Sequence, residues 1–121
     1  MADNGTMLTR DDYINVKEGL GRVRDNKKLY QKMLGMFLHG GECASLEESL
    51  ANKDLENAAN LAHAVKGITG NLSLTALFTI STKMMDELRK GVASEELHAA
   101  FTDANRITRE YVEEVMRELD A

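Results

Sequence analysis

The chain has 121 residues, with 15 Lys and Arg against 20 Asp and Glu and a formal net charge of −5. It holds no Pro, no Trp, seven Met and a single cysteine, Cys43. That length suits one domain with one modest core; the acidic balance lacks the basic excess expected of a nucleic-acid binder, and one cysteine excludes both a disulfide framework and a Cys-based zinc site.

Every predicted element is helical. No stretch is long and apolar enough to cross a membrane. The opening MADNGTMLTR lacks the apolar core of a secretory signal, so the chain is expected in the cytoplasm. Residues 1–8 are polar and aperiodic and read as a loose tail, leaving 9–121 as the domain. Thr9 can cap a first helix, with Asp11 and Asp12 in its opening turn complementing the dipole. Tyr13, Val16, Leu20 and Val23 recur along it at helical spacing, and it fades at Asp25-Asn26. A second helix is expected over 26–51, with Leu29, Met33, Met36, Phe37, Leu46 and Leu50 as its apolar stripe. His39-Gly40-Gly41 should kink or break it. Around the first turn, Arg22, Arg24, Lys27 and Lys28 form a basic cluster. It reads as a solvated turn, with a docking patch for an acidic partner as the alternative.

Residues 52–54 form the next turn, and Asp54 is the expected cap of a third helix reaching residue 72. Ser73 is expected to cap a fourth, which carries Leu74, Leu77, Ile80, Met84 and Leu88 and ends at Gly91. Ser94 opens the last helix, with Glu95 and Glu96 in its first turn and Leu97, Phe101, Ala104, Tyr111 and Val115 facing inward. Strand-like alternation and fixed-period repeats are both missing. Short connections make neighbouring helices antiparallel. The expected fold is all-α: an antiparallel up-and-down four-helix bundle with an extra short N-terminal helix.

Within the third helix the stretch HAVKGITGNLS holds two glycines, Gly67 and Gly70, although each Gly inside a helix costs roughly 1 kcal/mol relative to Ala. A wheel at about 100° per residue, with His63 at zero, puts Leu55, Ala58, Leu61, Ala62, Val65, Ile68, Thr69 and Leu72 between roughly 140° and 280°. His63 therefore lies nearly opposite the core stripe. Its own face holds Glu56, Ala59, Asn60, Lys66, Gly67 and Gly70. Lys66, Gly67 and Gly70 follow it at i+3, i+4 and i+7 and are its direct neighbours. The glycines read as clearing the surface beside an imidazole so that another molecule can approach. For Gly70 a helix-end role remains open, since the break at Ser73 is near. His39 and His98 read as ordinary solvated residues.

At these residues the sequence resembles the histidine-containing phosphotransfer (HPt) domain of bacterial two-component phosphorelays. The matching run is His63, Ala64, Val65, Lys66, Gly67, Ile68, Thr69, Gly70, Asn71, Leu72, Ser73, and the approach DLENAANLAHAVKG is also similar. Upstream, EGLGRVRDNKKLYQKMLGMFL is similar to the family's first loop and second helix. Two positions depart from the pattern. Ser73 stands where the family usually has Gly, and Ile68 is larger than the small residue that commonly follows Lys-Gly.

The resemblance implies a phosphocarrier without kinase activity of its own. His63 would be the phosphoacceptor, attacking through Nε2 a phosphoryl group held on a receiver-domain aspartate and passing it to another receiver. Imidazole suits this, because its reference pKa of about 6.5 leaves a neutral nucleophile near pH 7. Lys66 would stabilise the phosphoryl oxygens. Gly67 and Gly70 would be the close-approach surface, while Asn60, Ala59, Asn71 and Leu74 are read as His-orienting or docking residues. No second ligand sits at i+4 from His63, so no metal site is expected, and the face offers no carboxylate cluster, so Mg²⁺ should come with the receiver. The implied partners are response-regulator receivers and a hybrid sensor histidine kinase, engaged by a monomeric domain that binds neither nucleic acid nor membrane. The alternative is a small helical adaptor with no covalent chemistry.

Overall fold

The computed structural model describes residues 8–120. The expected tail therefore lies, apart from Leu8, outside the described residues. Among the described residues seven helices follow in chain order: α1 (Arg10–Tyr13), α2 (Val16–Arg22), α3 (Lys27–His39), α4 (Glu42–Ala51), α5 (Leu55–Leu72), α6 (Thr75–Arg89) and α7 (Glu95–Asp120). The bundle has four arms. Both α3 and α4 pack on α5 and on α7, so together they form the first arm; α5 packs on α6, and α6 on α7, closing the ring. The shorter α1 lies against α6 and α7, and α2 against α5 and α3. Only two residues, Ser73 and Leu74, join α5 to α6, and so short a link between packed helices makes them antiparallel. Tyr30, Leu34, Leu46, Val65, Leu77, Phe101 and Val112 are fully buried or nearly so, placing the core along the bundle axis.

The expected single N-terminal helix is two. Ile14 is extended (φ −143, ψ 119) and fully buried, and the Asn15 N–H donates to Ser73 O at 2.9 Å. The Asn15 side chain then accepts from Glu18 N at 3.1 Å and opens α2. An Asn side chain that satisfies a free helical N–H favours a fresh start over continuation. Arg24 (φ 55) and Asp25 (φ 61) are left-handed, which ends α2, and the Asn26 side chain opens α3 by accepting from Leu29 N at 3.0 Å.

The second expected helix breaks at Gly40-Gly41, as its glycines required. Its stripe needs correction. Met36 is 66% exposed and Leu29 42%, while Tyr30 and Leu34 are buried together with the expected Phe37. Spacing alone does not choose between adjacent stripes of one helix. The choice comes from α7, whose Arg109 lies over the Phe37 ring and donates to Leu38 O at the C-terminus of α3.

Asp54 caps α5 as expected, accepting from Asn57 N at 3.2 Å. Ser73 does not cap α6. It ends α5 in the left-handed conformation (φ 59), with Leu74 N–H donating to Thr69 O at 2.9 Å, the wrap that closes many helices. Consequently α6 starts at Thr75 with no side-chain cap, and it stops at Arg89, two residues before Gly91. Ser94 opens α7 as expected, its Oγ accepting from Leu97 N at 3.3 Å. Phe101, Ala104, Thr108, Val112 and Val115 form the buried stripe of α7, with Leu97 and Tyr111 at its margin. No helix among the described residues is long and apolar enough to cross a membrane.

Candidate functional site

Helix α5 is buried along Ala58, Ala62, Val65, Thr69 and Leu72, the arc marked out by periodicity. The Thr69 hydroxyl, fully buried, is satisfied within the helix by donating to Val65 O at 2.7 Å. With that face committed to the core, His63 projects into solvent near the middle of the helix. Beside it lies an open cleft of about 370 Å³ lined by Arg22, His63, Lys66, Gly67, Gly70, Asn71 and Phe78. Of the other histidines, His39 is also exposed, whereas His98, expected to be solvated, is half-buried. His98 Nε2 is tied to Glu47 at 2.7 Å, and His39 stands at the end of α3.

The two glycines of this face serve different ends. A Cβ added at Gly67 would meet nothing within 4 Å, so the surface there is open. One added at Gly70 would stand 3.1 Å from Phe78 Cε1 and 3.2 Å from Cδ1, tighter than ordinary van der Waals contact. Gly70 therefore admits the Phe78 ring from α6, which corrects the reading that both glycines only clear surface.

Two further expectations are corrected. Leu74 is fully buried and Ala59 is 8% exposed, so neither offers docking surface. Leu74 turns into the core beneath Ser73, and Ala59 falls at the margin of a buried arc widened because α5 packs on both α4 and α6. Asn60 is exposed, and no hydrogen bond joins it to the His63 ring. Asn71 is exposed and lines the cleft.

Arg22 and Phe78 entered this site without being foreseen. Arg22 had one signal, its place in the basic run RVRDNKK, but nothing local ties that run to a histidine 41 positions later. A second, more apolar groove of about 470 Å³ adjoins the first and shares Asn71 with it. Met33, Met36, Phe37, Ile68 and Leu72 supply most of its wall. Its edge includes the exposed Met36, and Ile68, expected to face the core, is half-buried here.

Burial pushes the Tyr30 hydroxyl up to about 12 and the Cys43 thiol up to about 11, so neither supplies an anion near neutral pH. Among the described residues no group of three or more His, Cys, Asp or Glu could hold a metal ion. The cleft therefore combines one exposed imidazole, two cations and open backbone.

No curated protein and no solved structure matches the chain. The family profile described as the Hpt domain matches residues 32–121, which takes in α3 from residue 32 and all of α4, α5 with His63, α6 and α7. An all-helical bundle carrying an exposed histidine beside Lys-Gly, matched over most of its length by that profile, belongs to the Hpt domain family, the phosphotransfer domains of phosphorelays.

Proposed function

We propose that the chain is a phosphocarrier of a bacterial two-component phosphorelay, taking a phosphoryl group from a receiver aspartate onto His63 and giving it to another receiver. The observation that carries the reading is the exposed His63 imidazole, set in a cleft with Lys66 and the unobstructed Gly67. The unprotonated ring nitrogen, Nε2, attacks phosphorus in line with the aspartyl carboxylate. The N–P bond forms as the acyl-phosphate P–O bond breaks, and the carboxylate leaves with the electron pair. Nδ1 keeps its proton, giving a cationic ring that releases it to solvent; return transfer reverses these steps. Such a reaction needs alignment and charge stabilisation more than acid–base work.

Lys66 follows His63 by one turn and brings an ammonium beside the phosphoryl oxygens. Mg²⁺ arrives with the receiver, since the cleft itself has no carboxylate cluster. The apolar groove along Met33, Met36 and Ile68, which shares Asn71 with the His63 cleft, gives a docked receiver surface to bury. In this reading the chain has no kinase activity, works as a monomeric domain in the cytoplasm and is charged ultimately by a hybrid sensor histidine kinase.

The test is to mix the chain with a receiver charged by acetyl phosphate and assay acid-labile, alkali-stable phosphate on the chain. His63→Gln should abolish acceptance while unfolding free energy shifts by no more than about 0.5 kcal/mol, as for most surface changes. Label retained by that variant would move the acceptor to His39 or His98. No label on the unaltered chain would leave a helical adaptor as the reading.

A further inference from the structure

Arg22 is the last residue of α2, and α2 packs on α5. From there its side chain reaches the cleft that His63 and Lys66 share. It is held on one side only. Its Nε donates to Ser73 Oγ at 3.2 Å, and its Nη2 stands 3.6 Å from Glu18 Oε1. The Ser73 hydroxyl donates in turn to that same Glu18 oxygen at 2.7 Å, closing a ring of three side chains. Nη1 has no hydrogen-bond partner among the described residues.

Ser73 is an unexpected member of that ring. It is 4% exposed and adopts φ 59, a conformation that strains any residue with a Cβ and that Gly adopts freely. A Gly there would close α5 at lower cost. What the serine adds is its hydroxyl, which accepts from Arg22 and donates to Glu18.

We infer that Arg22 is a phosphoryl-binding residue, which closes on the group carried by His63 while Ser73 and Glu18 tether it at the cleft. The inference rests on the phosphocarrier reading of His63. A phosphoryl group presents three oxygens, and Lys66 answers them as a point charge from α5 itself. Arg22 answers from a different helix with a planar fork that can take two oxygens at once. Its contact with Glu18 is long and both partners are half-exposed, so it is weak and readily exchanged for phosphate oxygens. The shorter Ser73–Glu18 bond keeps the tether in place during that exchange.

The test compares the unaltered chain with Arg22→Ala, Arg22→Lys and Ser73→Gly. Receiver-to-His63 transfer is timed, and the ³¹P resonance of chain loaded with phosphoramidate is titrated with pH. The resonance belonging to His63 is the one missing from His63→Gln. Arg22→Ala should slow transfer roughly 10-fold or more, since donors aimed at a transferring group carry large rate effects. It should also move the phosphoryl titration upward, because a nearby guanidinium favours the dianion. Arg22→Lys should recover part of both effects. Ser73→Gly should melt as high as the unaltered chain or higher, yet transfer more slowly, a split that a purely structural role would not produce. Arg22→Ala with unchanged rate and unchanged titration would overturn the inference and leave the carrier reading intact. An unaltered chain that takes no phosphoryl group on His63 would overturn both.

Discussion

At residue scale, Gly67 and Gly70 lie one turn apart on α5 and make opposite demands on their surroundings. Nothing stands within 4 Å of a Cβ at Gly67, so substitution there is decided by helix propensity and by what must approach His63. Gly67→Ala should raise the melting temperature, because Ala is favoured in a helix interior by roughly 1 kcal/mol. Gly67→Gln should keep much of that gain and yet slow receiver-to-His63 transfer by up to about 100-fold, since a misplacement of about 1 Å at the reacting atoms suffices for it. Melting curves beside transfer rates check both. A Gln variant that transfers at the original rate would show that the open surface has no part in docking. The position of Gly67 beside the imidazole was legible from spacing. The reason for Gly70 was not, because it depends on Phe78 arriving from another helix.

At the scale of elements, α2 shows how a short helix is held close to α5. Tyr30 of α3 is fully buried, and its hydroxyl donates to Leu72 O at the end of α5 at 2.9 Å. Gly19 of α2 lies directly on that ring: an added Cβ would stand 2.6 Å from Tyr30 Cζ. The ring cannot retreat without giving up the bond to Leu72. Gly21, two residues later on the same helix, has nothing within 4 Å. Gly19→Ala should therefore destabilise by about 1–3 kcal/mol, the usual cost of overpacking, while Gly21→Ala should be neutral or stabilising. Denaturant unfolding of the two variants checks the contrast; equal shifts would mean that α2 floats freely over Tyr30. Both glycines read alike in the sequence EGLGR, and only the partner ring separates them. Likewise the break between α1 and α2 was missed. Tyr13, Val16 and Leu20 keep helical spacing across it, while the buried Ile14 and the Asn15 bond to Ser73 O impose the turn.

At the scale of the whole molecule, Arg10 fastens the N-terminal turn to the far end of the chain. Its Nη1 reaches Glu118 Oε2 at 2.6 Å and Glu114 Oε1 at 2.8 Å. The hydrogen bond from Arg10 holds the Glu118 carboxyl below its ordinary range, and the same bond raises the guanidinium. A carboxyl lowered by folding contributes stability that is complete above its unfolded pKa, about 4.3 for Glu, and is lost as pH falls through the folded value. Hydrogen exchange at the Ile14 amide, which donates to Arg10 O at 2.8 Å, should thus be steady from about pH 7 to 5 after correction for intrinsic rates. It should lose protection below about pH 4, ahead of amides in α5. Arg10→Gln should expose that amide at every pH; protection unchanged by the substitution would show that α1 is held by packing alone.

By itself the sequence determined whatever follows from neighbours within a turn or two. That includes the helical identity of every element, the caps at Asp54 and Ser94, the break at Gly40-Gly41 and the outward face of His63. These are local matters of hydrogen bonding and of 3.6-residue periodicity, and they are written in adjacent residues. Tertiary structure decided which of two possible stripes α3 buries, that Phe78 covers Gly70, and that Arg22 stands beside His63. Each of these joins residues on different helices. Their meeting depends on how left-handed residues such as Arg24, Asp25 and Ser73 aim the chain between helices, and no local pattern in the sequence records that direction.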